Sequence, residues 1–270
     1  MVMGSLGSGV ALLLFLLTEG CSGGGTSLRG TGGSGDAGTG GADAGGQVTG
    51  GAGGSSASAL HLDGVDDYVT FAGGASETTF SSELWFRTTM QTGMLLEVYS
   101  SNGADRSTYL KAGKVCFYVF TPAFSELCTT AATFSDGAWH NVAGTLGPAG
   151  QQLYVDGVML GIAATTTTSA FDSDTGLRAG YGYIGPNGPL TFFAGDIDDI
   201  RMWNVQRTAG DLAGSRGKTL DPATPGLQGY WRLDETGSAI TAPDATAAAN
   251  SGTLVGFSLG ESPWVMPGAF

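Results

Sequence analysis

Two runs of aspartate carry the side chains best able to do chemistry: Asp63-Gly64-Val65-Asp66-Asp67 and Asp196-Ile197-Asp198-Asp199. Side chains alternate along a strand, so Asp196 and Asp198 would share a face, as the paired carboxylates of a glycoside-hydrolysing site do. The first run reads as a turn, where aspartates commonly accept hydrogen bonds from their own backbone amides. Both histidines, His61 and His140, fall on strand positions that alternate with apolar residues, which marks them as surface groups. No Gly-x-Ser-x-Gly elbow accompanies them, so nothing supports a Ser-His-Asp triad. Neither histidine stands at a spacing from Cys116 and Cys128 that would make a zinc site. Tyr181, Tyr183, Phe192 and Phe193 bracket the loop GYIGPNGPL. Rings beside a polar loop can stack sugars, or they can form the core and rim of a sheet.

These groups need a scaffold, and the chain supplies strands almost exclusively. Leu60 and Leu62 alternate around His61, and Tyr68, Val69 and Phe71 follow the aspartate turn. The runs FSSELWFRT, MLLEVYS, STYLKAG and VCFYVF come next, each bounded by Gly, Asn, Asp or Pro. In the stretch DGAWHNVAGTLGPAGQQLYVDG, Trp139, Val142 and Leu146 form one strand. Leu153 and Val155 form the next, across Gly-Pro-Ala-Gly, and Asp156-Gly157 closes a tight hairpin. One short helix is expected where Thr208 N-caps with Asp211 three residues on. Many short strands and one helix predict an all-β, antiparallel jelly-roll sandwich over residues 58–270. Trp85, Trp139, Trp203 and Trp231 are expected in its core.

Trp139-His-x-Val-Ala followed by Leu153-Tyr-Val-Asp-Gly resembles the laminin-G-like domains of the concanavalin A-like lectin/glucanase superfamily. ALHLDGVDDYVTF at 59–71, FSSELWFRT at 80–88, FAGDIDDIRMWNVQRTAGDL at 193–212 and GLQGYWRLDETGSA at 226–239 extend the resemblance in order. The glucanases of that fold use a Glu-x-Asp-x-Glu type run on a mid-sequence strand. The late Asp-x-Asp-Asp run departs from it, so the resemblance implies a protein without catalysis. It also implies one structural calcium ion on Asp198, Asp63 and Asp66, a hard oxygen set suited to that cation. The alternative is that Asp63 and Asp66 only bind their own turn. Tyr181 and Tyr183 are the candidate ligand-stacking residues.

The N-terminus and the cysteines bear on location. Val10–Leu17 is apolar but too short to cross a bilayer as a helix, and Thr18-Glu19-Gly20-Cys21 follows. Residues 1–21 resemble a bacterial lipoprotein signal, cleaved before Cys21 to leave a lipidated cysteine; an ordinary signal peptide cleaved nearby is the alternative. Ser22 after Cys21 points, by resemblance to lipoprotein sorting, to the outer membrane. Residues 22–57 are Gly, Ser, Thr and Ala with a few Asp, a disordered tether whose ends would lie roughly 30–36 Å apart. Cys116 and Cys128 flank a hairpin and could face each other as a disulfide, in keeping with export to an oxidising compartment; two buried free thiols are the alternative.

A formal charge of −13 with only 11 scattered Lys and Arg disfavours nucleic acid. The expected function is a surface-tethered, non-catalytic module that binds a glycan or an extracellular protein. A structural envelope protein is the alternative, and a glycoside hydrolase a distant third.

Overall fold

The computed structural model describes residues 57–270 except 74, 101–102, 171–175, 186–187, 259 and 261. The expectations for the signal segment, Cys21 and the tether therefore lie outside the described residues, apart from residue 57.

Two antiparallel sheets face each other. Sheet A runs β10 (Val158–Ala163), β9 (Gln151–Val155), β8 (Trp139–Leu146), β3 (Phe80–Arg87), β14 (Ala194–Trp203), β1 (Ala59–Asp63), β18 (Trp264–Val265), with β15 (Leu227–Trp231) also paired to β14. Sheet B runs β16 (Thr241–Ala242), β17 (Gly252–Val255), β2 (Tyr68–Ala72), β11 (Gly176–Ala179), β4 (Gly93–Ser100), β5 (Gly103–Lys111), β6 (Lys114–Val119), β7 (Ser125–Cys128). A separate hairpin, β12 (Tyr181–Tyr183) with β13 (Leu190–Phe192), packs beside β4. The expected jelly-roll sandwich is the architecture found.

Alternation explains the core. Val69 and Phe71 of β2, Leu84 and Phe86 of β3, Val142 and Leu146 of β8, and Leu153 and Val155 of β9 all turn inward and are buried together. Between Asp198 and Arg201 the pairing of β14 with β3 slips, and Asp199 adopts a positive φ of 51°. This bulge lets Ile197 and Ile200, three apart, both enter the core. The hairpin at Asp156-Gly157 forms as its sequence requires, with positive φ at both residues (52° and 80°). The expected helix, α1 (Ala209–Ser215), starts at Thr208 with a complete capping box to Asp211. Cys116 and Cys128 stand directly opposite on β6 and β7 and are joined by a disulfide.

Two expectations need correction. Trp203 and Trp231 are buried, but Trp85 and Trp139 are only half-buried. On β3, Leu84 and Phe86 take the inner face, so Trp85 is turned outward; Trp139 sits opposite Arg87, whose guanidinium lies 4.8 Å from its ring. His140 is not a surface group. It packs against Phe86 and Phe134, and its two ring nitrogens bond Asp156 at 2.8 Å and Asp136 at 3.2 Å. With both nitrogens engaged it serves as a brace between β8 and the turn after β9.

Candidate functional site

Cross-strand partners share a face, and the register of sheet B therefore assembles one outward row. Thr70, Arg178, Glu97, Ser107, Tyr118 and Glu126 follow one another across β2, β11, β4, β5, β6 and β7. The hairpin β12–β13 lies on this face. Its Tyr183 amide donates to Glu97 Oε1 at 2.8 Å, and Gly182 sits so close that a Cβ there would be 2.7 Å from the Glu97 carboxylate. Glu97 is fully buried, which raises its pKa; the Arg178 guanidinium and the Tyr183 amide work in the other direction.

Around Arg178 the hairpin builds an aromatic patch. Tyr181 and Phe192 stack with centroids 4.4 Å apart, and Tyr68 lies 5.2 Å from Tyr181 and 6.4 Å from Phe192. Arg178 lies 4.8 Å from the Tyr181 ring centre and 4.6 Å from that of Tyr99. All five residues are half-buried, as is Tyr183, so ring surface remains open to solvent. Phe193, by contrast, is wholly core. Tyr181 thus belongs to a cluster, whereas Tyr183 is placed at its edge chiefly through its backbone bond to Glu97.

The first aspartate run folds back on itself. Asp63 Oδ1 accepts from the amides of Val65 (2.7 Å) and Asp66 (3.4 Å), and Asp67 Oδ2 accepts from the Asp63 amide at 3.3 Å. Carboxylate oxygens of Asp63, Asp66 and Asp67 all lie within 4.8 Å of one another. The donor set is hard and oxygen-only, which suits calcium, and one oxygen of Asp63 is already committed to the turn. Burial raises the pKa of Asp67, opposed by the Asp63 amide and reinforced by the charges of Asp63 and Asp66. With His61, Asp63 and Asp67 border a cleft of about 220 Å³.

Asp198 does not join that set. Asp63 pairs with Ala194 on β14, which leaves Asp198 four residues farther along, about 13 Å at ~3.3 Å per residue. There it accepts from the Ala269 amide at 2.7 Å, and burial drives its pKa up to about 8. Asp199, on the bulge, is ion-paired to Arg201 and pushed up to about 6, again mainly by burial. Asp198 and Asp199 face a cavity of only about 40 Å³, with room for little more than a water molecule. Asp196 shares the outer face with Asp198, as alternation implies, but bonds His61 at 2.7 Å and Arg87 at 2.8 Å. Burial works to raise its pKa, yet these two partners hold it below the usual carboxylate value, and the Asp196 bond raises that of His61. The three aspartates of β14 are thus spent on separate structural partners: Asp196 on His61 and Arg87, Asp198 on the Ala269 amide, and Asp199 on Arg201.

Arg178, Glu97, Tyr68 and Tyr99 are not marked as site residues by the sequence, and Asp67 stands in the aspartate run without being singled out as a ligand. One signal was available. Glu97 interrupts the apolar run MLLEVYS, and a carboxylate there must find a cation.

A family model described as the concanavalin A-like lectin/glucanases superfamily matches residues 63–213. No curated protein matches the sequence. Among solved structures, the chain is similar to a proposed carbohydrate-binding protein from Bacteroides ovatus ATCC 8483, with 20% identity and a TM-score of 0.58 over 76% of this chain. It spans 61% of that protein's length, less than two thirds. It is also similar to the LG4-5 domains of the mouse laminin α1 chain (24% identity, TM-score 0.45, 54% of this chain and 40% of that one). A third likeness is to the CBM40 of the Ruminococcus gnavus IT-sialidase bound to α2,3-sialyllactose (14%, 0.47, 59% and 96%). At 20% identity the likeness to the Bacteroides protein is one of fold.

Proposed function

The chain belongs to the concanavalin A-like lectin/glucanase superfamily, and from that membership we propose that it is a non-catalytic binding module for a glycan, displayed outside the cell on a tether. The observation that carries the reading is the half-exposed patch of Tyr68, Tyr181, Phe192 and Tyr99 around Arg178 on the outer face of sheet B. Aromatic faces supply apolar area against sugar C–H groups, and Glu97 fixes Arg178 in place. The carbohydrate binding proposed for the Bacteroides protein is consistent with it. Asp196, Asp198 and Asp199, each tied to its own partner, argue for binding without hydrolysis.

The same reading gives Cys21 the role of lipid attachment and residues 22–57 that of a spacer from the outer membrane. It assigns calcium to Asp63 and Asp66 with Asp67 in the place first expected for Asp198. The carboxylates would hold the ion, and the ion would fix the turn between β1 and β2.

The test is binding of the full chain to an array of glycans and polysaccharides, compared with Tyr181→Ala. Reproducible binding that falls at least tenfold in the variant, with a melting temperature within a few degrees of wild type, is the expected result. Binding that survives the change would move the site off this patch. Array silence with capture of a protein ligand would replace glycan by protein as the partner.

A further inference from the structure

At the other end of β2 and β14 from the aspartate turn, the two sheets part around a cleft of about 280 Å³. Its floor is Leu177, Met202 and Trp231, all buried, and its rim carries the amide side chains of Asn204, Gln228 and Asn250. No acidic or basic side chain is among the described residues that line it, although the chain as a whole carries a charge of −13.

The rim is built rather than incidental. Asp244 organises the loop that ends at Asn250: it accepts from the amides of Tyr230 (3.0 Å), Thr246 (2.9 Å) and Asn250 (3.0 Å). The Asn250 carbonyl accepts from the Trp231 indole at 2.9 Å, so the backbone of Asn250 is fixed on both sides. Asn204 is held likewise, its amide donating to Gly226 at 3.0 Å and its carbonyl accepting from Thr79 at 2.9 Å. Yet the side-chain amides of Asn204 and Asn250 have no protein partner among the described residues, and Gln228 makes only a 3.4 Å contact to the Leu227 carbonyl. Three donor–acceptor groups, those of Asn204 and Asn250 on pinned backbones, share one rim over an apolar, aromatic floor, and none of them brings a charge.

We propose that this end cleft is a second binding site, separate from the aromatic patch, for a neutral polyhydroxylated ligand of the size of a mono- or disaccharide. The volume sets the size, just below the roughly 300–1,000 Å³ of pockets for larger ligands. The chemistry sets the class. A charged ligand would be desolvated without a counter-charge, and a purely apolar one would leave the three amides facing it unmatched.

The test is by NMR on the full chain, following the side-chain NH₂ signals of Asn and Gln and the Trp indole signals. The probes are glucose, galactose, mannose, N-acetylglucosamine, lactose, maltose and cellobiose at about 10 mM, enough to reveal a Kd of about 1 mM. Three proteins are compared: wild type, Ala248→Trp, which plants an indole at the exposed edge of the cleft, and Tyr181→Ala, which alters only the patch. At least one sugar is expected to shift the signals of Asn204, Gln228, Asn250 and Trp231, with the shift abolished by Ala248→Trp and kept in Tyr181→Ala. A sugar response that survives Ala248→Trp but disappears in Tyr181→Ala overturns this site and leaves the glycan-binding patch standing. Absence of any shift at the cleft with all seven sugars also overturns it, and says nothing against a larger glycan on the patch. A folded Ala248→Trp protein is verified by its unchanged signals elsewhere in the sandwich.

Discussion

The two ends of β2 show opposite chemistry on one scaffold. Asp67 at its start joins Asp63 and Asp66 in an acidic turn, while Ala72 at its finish borders a cleft whose described lining has no charge. The two lie five residues apart, about 16 Å. At the acidic end carboxylates bind mainly their own turn amides and crowd one another, an arrangement that a hard cation would relieve. At the neutral end, amides are positioned by a scaffold that uses up their backbone and leaves the side chains free. The contrast shows how a sandwich of this kind can carry an acidic turn at one end and a neutral cleft at the other. Inward positions are committed to packing, and the loops at each end are left to differ.

The largest effect expected is on the floor shared by the core and the neutral cleft. Trp231 packs against Phe71 with centroids 4.3 Å apart and is 2% exposed. Trp231→Ala should lose about 3–5 kcal/mol in urea denaturation, by lost burial and the hole left behind. A loss within ~0.5 kcal/mol would mean that the cleft is not built on the core.

Between the two ends of β14 lies Asp198, a carboxylate neither exposed like the turn nor replaced by an amide. Its folded pKa of about 8 stands above the unfolded 3.8, so the folded chain keeps a proton that the unfolded chain releases in that interval. Its contribution is therefore full below pH ~4, declines as pH rises, and is gone above pH ~8. Asp198→Asn should match wild type near pH 4 and exceed it by about 2–4 kcal/mol at pH 8, judged by thermal unfolding across that range. A variant less stable than wild type at pH 8 would show that the Ala269 amide needs the ionised carboxylate.

Calcium sharpens the acidic end. Ligand bound only to the folded state adds about 2.7 kcal/mol at 100-fold excess over Kd. The melting temperature should therefore rise with calcium and fall back with chelator, and the response should vanish in Asp63→Asn and Asp67→Asn but persist in Asp198→Asn. Equal melting temperatures with calcium and chelator would return these aspartates to the role of turn acceptors. The smallest effect belongs to the neutral rim. Asn204→Ala and Gln228→Ala should each change stability by less than about 0.5 kcal/mol, because both side chains are exposed and lack strong partners.

What the sequence disclosed was local. Hairpin chemistry at Asp156-Gly157, the capping box at Thr208, alternation in β2 and β9, and the Cys116–Cys128 pair all act over a few residues and all appear in the fold. What it hid depends on register. Asp198 and Asp63 sit on paired strands, but the offset of four residues separates them, and no local signal reports that offset. Glu97 and Arg178 meet across 81 positions, and Asn204, Gln228 and Asn250 are three ordinary polar residues until the strand ends bring them to one rim. The outward turn of Trp85 is similar: its run of strand residues is plain in the sequence, but which face is inner follows only from how β3 lies between β8 and β14.

The measurement that bears most directly on the account is the glycan and polysaccharide array with the full chain, run in calcium and in chelator. Reproducible binding to at least one glycan, weakened by Tyr181→Ala, is the result expected of a binding module whose site is the patch around Arg178. Silence in both conditions from a folded protein would contradict it, and would leave this fold with a protein partner or a structural task.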